Sequence, residues 1–147
     1  MVLKYKKVRD GAQAPMRASD GAAGYDLCAL CGEEGITVQP GERVGVPTGI
    51  AIELPGPEVA AFIFARSGLG LRHGITLPNC VGVIDSDYRG ELIVALVNIS
   101  EEPYTIRRGE RVAQLVIMPV CTPELCETEA LSDTARGAQG FGSTGKL

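Results

Sequence analysis

Residues 85–91 read Asp85-Ser86-Asp87-Tyr88-Arg89-Gly90-Glu91, which puts two carboxylates and an aromatic ring within four positions of one another. An aspartate exposed to water is ionised at neutral pH and can accept a proton, and a ring beside it offers a flat wall for a substrate. Apolar runs lie on both sides, at Val81–Ile84 and at residues 92–99. That pattern predicts a β-hairpin with residues 85–90 as its turn. Ordinary turns also use Asp and Gly, so the run alone fits a solvated turn as well as an active-site loop.

Other groups point to anion binding. Arg66-Ser67-Gly68 follows the apolar run Val59–Ala65. An arginine fork, a hydroxyl and a glycine that admits close backbone approach suit a phosphate, although a strand end with an N-capping serine uses the same residues. In Arg111-Val112-Ala113-Gln114-Leu115, strand alternation puts Arg, Ala and Leu on one face and Val and Gln on the other. A glutamine there suits a structural hydrogen bond. Asp26 is a carboxylate inside an apolar run, where it needs an arginine or a hydrated cation as partner. Residues 136–145 hold Arg136, four glycines, Phe141, Ser143 and Thr144. Such a stretch cannot build a core, and it reads either as a frayed end or as a lid that closes over an anion.

The frame for these groups is legible in the punctuation. Short apolar runs recur at Ile36–Val38 and at residues 43–46, 49–54, 59–65, 75–77, 81–84, 92–99, 104–106 and 112–120, with Pro- and Gly-bearing turns between them. Nineteen glycines and nine prolines spread over 147 residues suit many short strands. An all-β sandwich, jelly roll or distorted barrel follows, with one short helix at most, near residues 67–72. The length is that of one domain, divided by texture into a body over residues 1–131 and a glycine-rich flexible arm over residues 132–147.

A formal charge of −4 disfavours binding to a nucleic-acid backbone but leaves room for a small polyanion met by gathered arginines or a divalent cation. No run approaches the roughly 18 apolar residues of a membrane span, and no secretory leader precedes the basic start, so a soluble, cytoplasmic protein is expected. Five cysteines then read as reduced thiols. Cys28 and Cys31 form a C-x-x-C, but Cys121 and Cys126 lack the spacing of a second zinc half-site. His73, the sole histidine, suits a local hydrogen bond.

Taken in order, Ala23-Gly24-Tyr25-Asp26-Leu27, Arg66-Ser67-Gly68-Leu69, residues 79–90, Arg111-Val112-Ala113-Gln114-Leu115 and residues 136–145 resemble the five motifs of the trimeric dUTP pyrophosphatases. The resemblance spans nearly the whole chain. It implies hydrolysis of dUTP to dUMP and pyrophosphate, with Asp85 as the base that deprotonates the water attacking the α-phosphorus. It implies that Tyr88 packs against the deoxyribose and excludes a 2′-hydroxyl, and that the stretch from Asn79 to Val83 reads the uracil edge through backbone groups. Arg66, Ser67, Gly68, Gln114, Arg136, Gly142, Ser143 and Thr144 fall on triphosphate-binding positions, and Phe141 on the one that stacks over the base. Asp26 falls where a carboxylate holds a water of the Mg²⁺ shell, the metal itself being bound by phosphates. A homotrimer with sites at subunit interfaces is also implied.

Two positions depart from the family pattern. Ala65 stands where a proline often precedes Arg-Ser-Gly, and Ala138-Gln139 replace a more glycine-rich stretch. The nearest rivals are a dCTP deaminase, which shares fold and phosphate recognition, and a jelly-roll module without catalysis. The tyrosine after Ser86-Asp87 fits the hydrolase, and retention of Asp85, Arg66 and the tail argues against a bare scaffold.

Overall fold

The computed structural model describes residues 1–140, so Phe141, Gly142, Ser143 and Thr144 lie outside the described residues. The elements in chain order are β1 (Lys4–Lys7), β2 (Tyr25–Cys28), β3 (Ile36–Val38), β4 (Arg43–Pro47), β5 (Ile50–Glu53), β6 (Val59–Ala65), α1 (Ser67–His73), β7 (Ile75–Thr76), β8 (Val81–Ile84), β9 (Ile93–Asn98), β10 (Tyr104–Ile106) and β11 (Arg111–Pro119). They form a four-stranded sheet in the order β2-β11-β6-β8, a three-stranded sheet β4-β9-β7, and the pairs β1-β5 and β10-β3. Every pairing is antiparallel. This is the jelly-roll class that the strand punctuation predicts, with one short helix.

Both main sheets bury one face in a common core. In β9 the alternation is plain: Val94 and Leu96 are buried while Ile93 and Ala95 are exposed, as a period of two requires. From the other sheet come Leu27, Ala61, Ile63 and Leu115, all buried in the same cluster. Truncating a fully enclosed leucine such as Leu115 leaves a cavity that costs about 2–5 kcal/mol. The strict alternation expected for β11 is broken by a bulge between Arg111 and Ala113, and Val112 and Ala113 are both buried. Asn98 is fully enclosed and satisfied. Its amide donates to the carbonyls of Val38 at 3.0 Å and Glu102 at 2.7 Å, and its oxygen accepts from the Ser100 backbone and hydroxyl.

Three expectations are corrected. The predicted hairpin around residues 85–90 does not form: β8 pairs with β6, whereas β9 pairs with β4 and β7. The segment is a crossing from one sheet to the other, because both flanking strands find longer partners elsewhere. β1 has no counterpart in the sequence reading, since Lys4–Lys7 is exposed throughout and shows no apolar alternation. It is a strand because its backbone pairs with β5, with Lys4 and Glu53 bridged at 2.8 Å. His73 contacts the Tyr104 ring, with centroids 4.6 Å apart, and its side chain makes no hydrogen bond among the described residues, against the expected local hydrogen bond.

Candidate active site

The strand order β2-β11-β6 gathers residues far apart in the chain. Gln114 in β11 lies opposite Asp26 of β2 on one side and Phe64 of β6 on the other, and Ala113 lies opposite Ala65, directly before Arg66. Asp26 is only 3% exposed. Its Oδ2 accepts from Arg111 Nη1 at 3.1 Å, and its Oδ1 lies 3.2 Å from Arg66 Nε. The Arg66 contact is ionic without an aligned hydrogen bond, which leaves Oδ1 buried with an unused acceptor position. Arg66 is braced from the other side by its Nη1, which donates to the Arg111 carbonyl at 2.9 Å. A carboxylate this deep is tolerated because two cations flank it.

Arg66 also begins α1. Its backbone is extended, and its carbonyl accepts the Gly70 N–H at 3.0 Å. Ser67 and Gly68 follow on the exposed side, and a Cβ at Gly68 would meet nothing within 4 Å. The fold itself therefore does not require a glycine there. Open space over a backbone next to an oriented arginine is what an anion needs for close approach.

At the other end of β8 the chain builds a second cluster. A cavity of about 200 Å³ is lined by Val83, Asp85, Tyr88, Glu91 and Ile93 among others. Asp85 is exposed, and its carbonyl accepts the Tyr88 N–H at 3.2 Å, closing the turn. The Tyr88 hydroxyl donates to the Glu91 carbonyl at 3.0 Å. Arg89 folds back, donating from Nη1 to the carbonyls of Ser86 and Tyr88. Before β8, residues 77–81 form a tight turn in which Val81 N–H reaches the Asn79 carbonyl at 2.7 Å, and Asn79 is exposed.

The register places these two clusters far apart within one chain. Ile84 lies opposite Ala61, and Arg66 lies five residues further along the chain, just past the end of β6. At about 3.3 Å per residue that is roughly 17 Å, with Asp85 beyond the far end. Arg136 joins neither group. Its Nε donates to the Gln139 carbonyl at 2.9 Å, and all of residues 121–140 are exposed. Among the described residues no three His, Cys, Asp or Glu side chains converge as a metal cage, and the five cysteines are free. Among those residues, too, no helix is long and apolar enough to cross a membrane.

The dUTPase family model matches residues 10–145 of this chain. The chain belongs to the dUTPase family. It is 48% identical over 143 residues to the deoxyuridine 5'-triphosphate nucleotidohydrolase of Desulfitobacterium hafniense, covering 97% of this chain and 94% of that protein. It is 50% identical over 147 residues to the enzyme of the same name from Caldanaerobacter subterraneus subsp. tengcongensis, covering 99% and 98%. Among solved structures it is similar to a Staphylococcus bacteriophage 80alpha dUTPase mutant with dUpNHpp, at a TM-score of 0.89 and 28% identity over 98% of each chain.

In this dUTPase chain the structure brings Asp26, Arg66, Ser67, Gly68 and Gln114 to one sheet end, and Val83, Asp85 and Tyr88 to one cleft. Three features escaped the sequence reading. Arg111 pairs with Asp26, although an arginine opening an apolar strand carries no sign of its partner. Cys80, in the loop before β8, has a φ of 63°, the one positive value for a non-glycine among the described residues. Glu91 is enclosed by Gly49 and Arg9, and only the fold supplies those neighbours.

Proposed function

We propose that this dUTPase chain hydrolyses dUTP to dUMP and pyrophosphate with Asp85 as the general base. The observation that carries the reading is Asp85 exposed at a cleft that Tyr88 also lines, inside the stretch that the family model matches. Asp85 accepts a proton from the water that attacks the α-phosphorus, a role that typically contributes about 10²- to 10⁴-fold. Tyr88 forms the wall against the deoxyribose, and backbone groups of residues 79–83 meet the uracil edge. In that slot a thymine methyl clashes, and cytosine presents a donor where uracil has an acceptor. Arg66, Ser67, Gly68 and Gln114 hold the triphosphate, joined by Arg136, Gly142, Ser143 and Thr144, with Phe141 over the base.

The register puts the Asp85 end of β8 and Arg66 about 17 Å apart along the backbone, and Arg66 is not among the residues that line the Asp85 cleft of the same chain. A cleft of about 200 Å³ is also below the usual size of a complete small-molecule site, roughly 300–1,000 Å³. Both facts support a homotrimer in which one subunit supplies Asp85 and Tyr88, another the Arg66 cluster, and the arm reaches a neighbour. The body over residues 1–131 and the arm over residues 132–147 remain the proposed division; among the described residues the last long-range backbone bond is that of Val120 N–H to the Glu58 carbonyl.

Mg²⁺ is the proposed cofactor, and the residues fit it: Asp26 Oδ1 retains an unused acceptor position for a metal-bound water. Bound there, the ion supplies charge neutralisation on the phosphates. The test is Asp85→Asn assayed for pyrophosphate release and for dUTP affinity. The expected result is a kcat lowered by about 10²-fold or more with affinity within about threefold of the parent. Normal turnover by the variant would sink the base assignment.

A further inference from the structure

Glu91 is the most constrained side chain beside the cleft. It is 13% exposed, with Oε1 accepting the Gly49 N–H at 2.7 Å and Oε2 paired to Arg9 Nη2 at 2.7 Å. Both carboxylate oxygens are thus engaged, so Glu91 is not available as a second base. The neighbouring backbone is tied to the same β4–β5 turn. Leu92 N–H donates to the Ile50 carbonyl at 2.7 Å, and Thr48 Oγ1 donates to the Leu92 carbonyl at 2.7 Å. The receiving turn is itself stiff: Gly49 has a φ of 69°, and a Cβ there would crowd Ala12 at 2.6 Å. Tyr88 rests on this fixed point. Its hydroxyl donates to the Glu91 carbonyl, and its ring lies over Gly90, where any Cβ would collide with the phenol.

We infer that Glu91 is a positioning residue for Tyr88, and that through this anchor the chain sets its preference for a 2′-deoxyribose over a ribose. The inference rests on the reading of Tyr88 as the wall against the deoxyribose. A ring is selective against one added hydroxyl only if it cannot rotate away. Among the described residues the half-exposed phenol makes no other hydrogen bond, so there the position of the Glu91 carbonyl decides where the ring stands. That carbonyl belongs to the peptide unit whose Leu92 N–H is held by Ile50, and the Gly49 bond to the Glu91 side chain holds the same residue from its other end. The Arg9 pair is half exposed on its arginine side and contributes little.

The experiment measures kcat/KM for dUTP and for UTP in the parent, Glu91→Ala, Glu91→Gln and Tyr88→Phe. Glu91→Ala lowers the dUTP-to-UTP ratio by about tenfold, the scale of one lost hydrogen bond. Glu91→Gln keeps the ratio within about threefold, because its amide oxygen still accepts from Gly49 N–H. Tyr88→Phe, which removes only the anchored hydroxyl, lowers the ratio in the same direction. An unchanged ratio in folded Glu91→Ala, or a fall in Glu91→Gln as large as in Glu91→Ala, overturns the inference. Should Glu91→Ala fail to fold, an unchanged ratio in Tyr88→Phe overturns it equally. A parent enzyme that hydrolyses dUTP and UTP alike defeats the Tyr88 reading itself, whereas a selective parent with an insensitive Glu91→Ala defeats only the anchor.

Discussion

Arg66 and Arg136 are both proposed to meet the same triphosphate, yet they stand in opposite physical states. The Arg66 side chain is 26% exposed, flanked by Asp26 and braced by the Arg111 carbonyl, all on strands whose register the core fixes. Arg136 is exposed, and its guanidinium bonds a carbonyl three residues away in its own segment. The first arginine is oriented before any ligand arrives, so little conformational freedom is lost on binding. The second must leave a local turn and become ordered, a cost that is met from the binding energy of the phosphates. On that proposal one site combines a prebuilt cradle with an arginine that must leave its local turn to bind, which suits tight grip in the transition state and release afterwards.

Truncation tests that contrast most severely. Removing residues 136–147 lowers kcat/KM for dUTP by about 10²-fold, because groups lost from the closed state are lost from the transition state. The unfolding midpoint of the truncated protein stays within about 2 °C of the parent, since residues 136–140 are exposed and exposed residues contribute little to stability. A large drop in midpoint would show that the arm belongs to the folded body, and the contrast would fail. Asp26→Asn attacks the prebuilt side. It costs about 1–3 kcal/mol of stability in urea titration, less than a fully buried pair because Arg111 is half exposed, and raises KM by about tenfold as Arg66 loses its ion-pair partner. Full stability in that variant would mean that the cluster orients nothing.

The smallest effect is chemical and leaves activity alone. Cys28 lies on β2 near Asp26, and its thiol pKa is pushed up, first by burial and then by the Asp26 charge, against the pull of Arg111 and Arg66. A raised pKa keeps the neutral thiol to higher pH, and the thiolate is the reactive form. Alkylation near pH 8, followed by peptide mass, therefore labels the exposed Cys121 and Cys126 at least about tenfold faster than Cys28. Equal rates would show that the sheet end opens as freely as the segment beyond Pro119.

Much of the frame was legible because it rests on local signals. β6, β8 and β10 match the apolar runs residue for residue, and α1 exceeds its expected range by one residue. β1 was not legible, since a lysine-rich strand has no pattern to read and depends on an edge offered by β5. The loop at residues 85–90 was legible as a turn and misread as a hairpin. Sequence adjacency suggests that flanking strands pair with each other, but partner choice is a tertiary decision between competing ladders. The motif order pointed to Asp26 and Arg66 as site residues, while their direct contact and the part of Arg111 came only from the alignment of β2, β11 and β6.

The sequence by itself determined the strand-rich class, the turn positions and which side chains carry chemistry, because propensity and alternation are encoded within a few neighbouring residues. Tertiary structure alone decided that Asp85 and Arg66 lie at opposite ends of neighbouring strands, that Glu91 is locked onto Gly49, and that residues 121–140 are exposed. Those outcomes depend on register and sheet order, which pair residues tens of positions apart and are set by the burial of the whole core at once.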